Sequence, residues 1–215
     1  MPFMPLGLFV LDCIASGAMW VDMEASGVDV LISAPQKGWS ASPCCGLVML
    51  NGRARERIES TTGTSFACDL LKWLQIVEAY ENGGHAYHAT LPTDAIVRFR
   101  DAMAEIEAYG LDRARTRQQE LGDKVRALLV RKGIESVAAK GFQAPGVVVS
   151  YTGDVGIHNG VKFAGAGLQI AAGVPLQCDE PEGFQTFRLG LFGLDKLQNI
   201  DRTVEHLSKA LSEIL

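Results

Sequence analysis

Aromatic residues are scarce, 7% of 215 residues, and so are cations: 20 lysines and arginines face 25 acidic residues, a formal net charge of −5. Nonspecific nucleic-acid binding needs a basic surface that displaces counterions, and a polybasic membrane anchor needs the same, so neither is expected. No apolar run approaches the roughly 20 residues of a membrane helix. The apolar stretch 7–10 is cut off at Asp12 and follows no basic segment, so no secretory signal is expected. The five cysteines are odd in number, two are adjacent and none forms a CxxC pair. That spacing argues against a disulfide framework or a zinc site and favours a reducing cytoplasm. What remains is an ordinary globular composition, 47% hydrophobic and 21% charged.

Three apolar β-rich runs open the chain. Residues 8–11 end at Asp12, residues 28–33 end before Ala34-Pro35-Gln36-Lys37-Gly38, and residues 46–50 end at the turn pair Asn51-Gly52. None alternates cleanly, the pattern of strands in a parallel sheet covered on both faces. Helical spacing then predicts helices over 66–80, from Thr93 onward, and over 112–132. Further on, strands are predicted at 147–151 and 184–191, a helix at 164–172 ended by Gly173, and a closing helix at 200–215. A loose boundary near Tyr109-Gly110 divides residues 1–109, with a mostly parallel sheet, from a smaller α/β unit, 110–215.

Lys37 follows one apolar strand, and Asp12 ends another. Open α/β sheets bind ligands at the carboxyl ends of their strands. If the two strands are parallel neighbours, amine and carboxylate share one sheet edge. Singly, Lys37 reads as a solvated surface charge and Asp12 as a turn or capping residue. Together they suit pyridoxal phosphate: a lysine condenses with its aldehyde, and an aspartate pairs with its protonated ring nitrogen. Arg188 lies in the 184–191 strand, with Phe187, Leu189 and Leu191 on the opposite face and Gly190 leaving room beside it. It is either an exposed strand arginine or a two-point carboxylate grip. His85 and His88 are three apart, too weak a pattern for a metal site. Cys44 and Cys45 read as small core residues.

Leu11-Asp12, Gln36-Lys37, Tyr87-His88-Ala89-Thr90-Leu91-Pro92 and Phe187-Arg188-Leu189-Gly190 occur in the order found in a known family. Over nearly the whole chain the sequence resembles the class V aminotransferases of fold type I, alanine–glyoxylate and serine–pyruvate aminotransferases above all. The resemblance implies that Lys37 is the Schiff-base lysine and shuttles a proton. It implies that Asp12 holds the pyridine nitrogen and Gln36 the cofactor phosphate. Tyr87 and Thr90 would reach a partner's phosphate in a homodimer, and Arg188 would bind the substrate α-carboxylate. The implied reaction moves an amino group from alanine or serine to glyoxylate or pyruvate. Gln36 stands where cysteine desulfurases usually carry histidine. Family members are nearly twice as long, and Met1-Pro2-Phe3-Met4-Pro5 leads almost directly into the aspartate strand. The chain therefore resembles a carboxyl-terminal half, and a truncated, non-catalytic fragment with weak or no cofactor binding is the alternative expectation. A nucleotide-binding domain has little support, since Gly165-Ala166-Gly167 lacks the full glycine pattern and no Walker motif is present.

Overall fold

The computed structural model describes residues 7–215, so the opening residues 1–5 noted above lie outside it. Strand β1 (Val10–Asp12) leads through the short helix α1 (Met23–Ser26) to β2 (Val30–Ser33), and β3 (Leu47–Leu50) completes a sheet ordered β1-β2-β3. β1 and β2 are parallel, with Val10 opposite Val30 and Asp12 opposite Ile32. β3 runs antiparallel to β2, so this sheet is mixed rather than mostly parallel. The reason lies in the connection: residues 34–46 contain no helix to carry the chain back over the sheet, as a parallel return requires.

Asn51-Gly52 is a helix start rather than a free turn. Asn51 caps α2 (Gly52–Glu59) by accepting the N–H of Ala54. α3 (Leu70–Glu81) begins four residues later than its apolar spacing, because Asp69 caps it through the N–H of Lys72. α4 (Thr93–Tyr109) and α5 (Leu111–Arg131) follow, and Leu121, Val125, Leu128 and Leu129 of α5 are buried as their spacing predicts. β4 (Val147–Tyr151) spans the predicted residues. The helix expected over 164–172 is displaced. Two short helices, α6 (Val155–His158) and α7 (Val161–Gly165), come first, and the chain then enters β5 (Ala171–Ala172). Gly167, at φ +77°, takes a left-handed conformation that stops the helix. β6 (Thr186–Gly190) sits between β4 and β5, and α8 (Leu194–Gln198) and α9 (Ile200–Ile214) close the fold.

The main core gathers α5, α9, β4 and β6 around Leu121, Leu129, Phe163, Phe187 and Leu211, and it takes in Ala18 from far upstream. Gln118, buried on α5, donates to the carbonyls of Pro145 and Leu191 and faces the N–H of Ala18. One side chain thereby joins three distant segments.

Asp29 is a buried anchor for the first sheet, accepting the N–H of Phe9 at 2.7 Å, Asn51 at 2.9 Å and Arg53 at 2.8 Å. The Phe9 N–H first, then Asn51 and Arg53, hold its carboxyl below the usual range. A depressed folded value stabilises the fold fully above the unfolded carboxyl value of about 3.9 and loses that contribution as pH falls through the folded value. Asp29→Asn is expected to flatten the acid side of a plot of denaturation midpoint against pH. An unchanged acid limb would exclude Asp29 as a source of the acid sensitivity.

Candidate active site

The parallel register sets Asp12 and the Lys37 loop at the same carboxyl edge of the first sheet. Asp12 is exposed, and its Oδ1 accepts the N–H of Ile14 at 2.8 Å, so it also shapes the turn after β1. The neighbouring Cys13 is buried, and burial, with the charge of Asp12 adding, pushes its thiol up.

Several contacts hold the Lys37 loop in place. Pro35 is buried at its start, and the Pro35 carbonyl accepts the N–H of Ala41 at 3.1 Å. Trp39 packs on Trp20 with ring centres 4.8 Å apart and meets Phe99 of α4 edge-on at 6.2 Å. Ser40 accepts the N–H of Leu194 at 2.8 Å, tying the loop to the start of α8. Gly38 lies directly against the backbone of Gly17: a Cβ there would come within 2.1 Å of the Gly17 carbonyl oxygen. The glycine beside the lysine is thus a packing requirement.

Lys37 is half-buried, with Nζ 5.3 Å from the centre of the Phe192 ring, within cation–π range. The same ring is clasped by glycines: a Cβ on Gly17, Gly146 or Gly190 would lie 3.2–3.5 Å from it. Phe192 therefore carries the end of β6 to the lysine. It was not among the sequence candidates, because an aromatic residue just past an apolar strand reads as core.

Arg188 sits on central strand β6, opposite Val149 of β4 and Ala171 of β5. Phe187 and Leu189 on the other face are buried, while Arg188 is half-buried and Gly190 exposed. Its Nε donates to the Ala172 carbonyl at 2.9 Å, which fixes the plane of the guanidinium. Among the described residues Arg188 has no ion pair.

Gln36 is exposed in the turn before Lys37. Tyr87, 79% exposed, pairs its hydroxyl with that of Thr90 at 3.3 Å in the segment leading to α4. No hydrogen bond among the described residues links this pair to Asp12, Gln36, Lys37 or Arg188. His88 has a packing role: its ring lies 4.1 Å from Phe66 and 5.1 Å from Trp73, and Nε2 bonds the Phe66 carbonyl at 2.9 Å. Cys44 and Cys45 are half-buried in the irregular segment before β3, so they are not core residues.

No protein-family model matches the chain. The alanine–glyoxylate aminotransferase of Oryctolagus cuniculus is 26% identical over 222 residues, covering 95% of this chain and 53% of that protein. Among solved structures, an alanine–glyoxylate aminotransferase from Nostoc sp. has a TM-score of 0.76 at 21% identity, covering 95% of this chain and 54% of that one. An aspartate aminotransferase from Thermus thermophilus has a TM-score of 0.77 at 24% identity, covering 98% of this chain and 57% of that one. The chain spans about half the length of the curated relatives it matches. Aminotransferases recur among both the sequence relatives and the fold neighbours, and the chain has the fold type I architecture and is similar to alanine–glyoxylate aminotransferases over about half their length.

Proposed function

We propose that this chain is the lysine-bearing part of a pyridoxal-phosphate-dependent aminotransferase that moves an amino group from alanine or serine to glyoxylate or pyruvate. The observation that carries the reading is the parallel register of β1 and β2, which puts Asp12 and Lys37 at one sheet edge. We further propose two units, 1–109 holding the cofactor and 110–215 supplying the substrate arginine, in a homodimer working in the cytoplasm.

The donor set fits the cofactor. A primary amine, a carboxylate, an amide and a pair of joined hydroxyls are the groups that an aldehyde, a ring nitrogen and a phosphate need. When bound, pyridoxal phosphate supplies an aldehyde that condenses with amines and a ring that draws electrons from the substrate α-carbon. Lys37 would hold it through Nζ and carry a proton from and back to the substrate. The Asp12 carboxylate would keep the ring nitrogen protonated. Gln36 would hydrogen-bond the phosphate, and the exposed Tyr87 and Thr90 hydroxyls would serve the phosphate of the second copy. Arg188, its plane set by the Ala172 carbonyl, would bind the α-carboxylate through its terminal nitrogens.

The test is an absorbance spectrum with added pyridoxal phosphate, then borohydride reduction and peptide mapping. A visible band and an adduct on Lys37 are expected. A folded sample with neither would favour the second reading, a non-catalytic fragment. That reading draws on the first sheet, where Phe9 and Val10 are 47% and 52% exposed and Val48 and Met49 are also open.

Arg188→Lys keeps the charge but loses the fork. It is expected to weaken amino-acid binding about tenfold to a hundredfold, the worth of one or two charge-assisted hydrogen bonds, and to leave the Lys37 adduct intact. Titration of the cofactor spectrum with alanine reads both, and an unchanged titration would remove Arg188 from the substrate site.

A further inference from the structure

Cys44 and Cys45 stand outside the proposed transamination chemistry. Their sulfurs are 3.7 Å apart, in hydrogen-bond contact, although neighbouring side chains on an extended backbone point to opposite sides. Both are half-buried, and the flanking Ser42, Pro43 and Gly46 are exposed, so a small reagent can reach the pair. Among the described residues no backbone hydrogen bond ties segment 42–46, so its peptides are free to turn. The other three cysteines are each separate in sequence, and Cys68 and Cys178 are exposed.

We propose that Cys44 and Cys45 form a thiol–disulfide exchange site for low-molecular-weight disulfides and close into a bridge between adjacent residues. Burial, with Cys44 adding, pushes the Cys45 thiol up, and the 3.7 Å separation lets either sulfur reach a group carried by the other. One of the two, as its thiolate, attacks a small disulfide RSSR, forming a protein S–SR bond and releasing one thiol. The other sulfur, giving up its proton as it attacks, then displaces the second RSH. Two protein thiols are oxidised, one RSSR is reduced to two RSH, and every proton and electron is accounted for. The neighbouring Cα atoms are about 3.8 Å apart, below the about 4.4–6.8 Å of ordinary bridges, so excess thiol reopens the ring. The bridge would lie in the connection that runs from the Lys37 loop to β3.

Oxidised glutathione is the probe, followed by alkylation, trypsin and mass analysis. Cleavage after Lys37 and Arg53 puts both cysteines on peptide 38–53 with no other cysteine. The expected product is this peptide lighter by two hydrogens and carrying no alkyl group, restored to two alkyl groups by excess reduced glutathione. In Cys45→Ser the same peptide is expected to keep one glutathionyl group on Cys44. In Cys44→Ser the same peptide is expected to keep one glutathionyl group on Cys45. Two alkyl groups on peptide 38–53, in a sample where exposed Cys68 is already glutathionylated, would overturn the proposal. So would two glutathionyl groups on that peptide in the wild-type protein.

Discussion

Replacing Lys37 with alanine is expected to abolish the borohydride-trapped adduct and to lower turnover, where the wild-type chain has it, by about a thousandfold or more. The neighbouring amine of Lys196, bonded to the Phe192 carbonyl at 2.9 Å, is the alternative that peptide mapping must separate from Lys37. The informative companion is Lys37→Arg. It keeps a cation beside Phe192, whose ring lies 5.3 Å from the lysine Nζ, yet offers no primary amine. Folding and thermal midpoint are expected to survive in the arginine variant while the adduct disappears. An adduct of undiminished yield in either variant, mapped elsewhere, would remove Lys37 from the chemistry.

Gly38→Ala is the second substitution with a large expected effect, and it works through shape. The added methyl would sit 2.1 Å from the Gly17 carbonyl oxygen and 2.6 Å from its carbonyl carbon. Backbone on both sides must separate, because no flexible side chain can give way. A cost of about 3 kcal/mol or more is expected, read as a fall in the denaturation midpoint. The separation would also pull Gly17 away from Gln118 and Phe192, so the trapped Lys37 adduct should fall roughly tenfold, the effect of losing a positioned geometry. Gly27→Ala is the control: a Cβ there meets nothing within 4 Å, although its φ of +71° carries an ordinary strain cost. Equal midpoints for the two variants would show that the Gly17 contact does not limit the fold.

Asp12 and Lys37 were legible because the physics that places them is local. Each ends an apolar strand, and a parallel pair brings both ends to one edge. The long helix α5 was legible for a similar reason, since a 3.6-residue period over many turns has few rival readings. Residues 164–172 misled because their small apolar side chains also suit a strand, and Gly167 decides the matter by its conformation. The direction of β3 depended on a loop with no helix in it. Phe192 and the Gly17–Gly38 contact belong to tertiary packing, where segments far apart in sequence meet, and no spacing rule reaches them. Cys44 and Cys45 looked like core by composition, yet they lie in an irregular stretch whose neighbours face water.

The buried Gln118 amide has a consequence for cutting the chain. A protease nick at the α4–α5 junction, beside Gly110, would divide the sequence in two without dividing the object. Ala18 would still fill its place beside Leu121, and Trp20 would still donate to the Leu111 carbonyl at 3.0 Å. The two nicked pieces should therefore co-elute and melt together. Residues 110–215 expressed alone should bind ANS on the apolar surface that Ala18 and Trp20 cover, and added peptide 13–21 should lower that fluorescence.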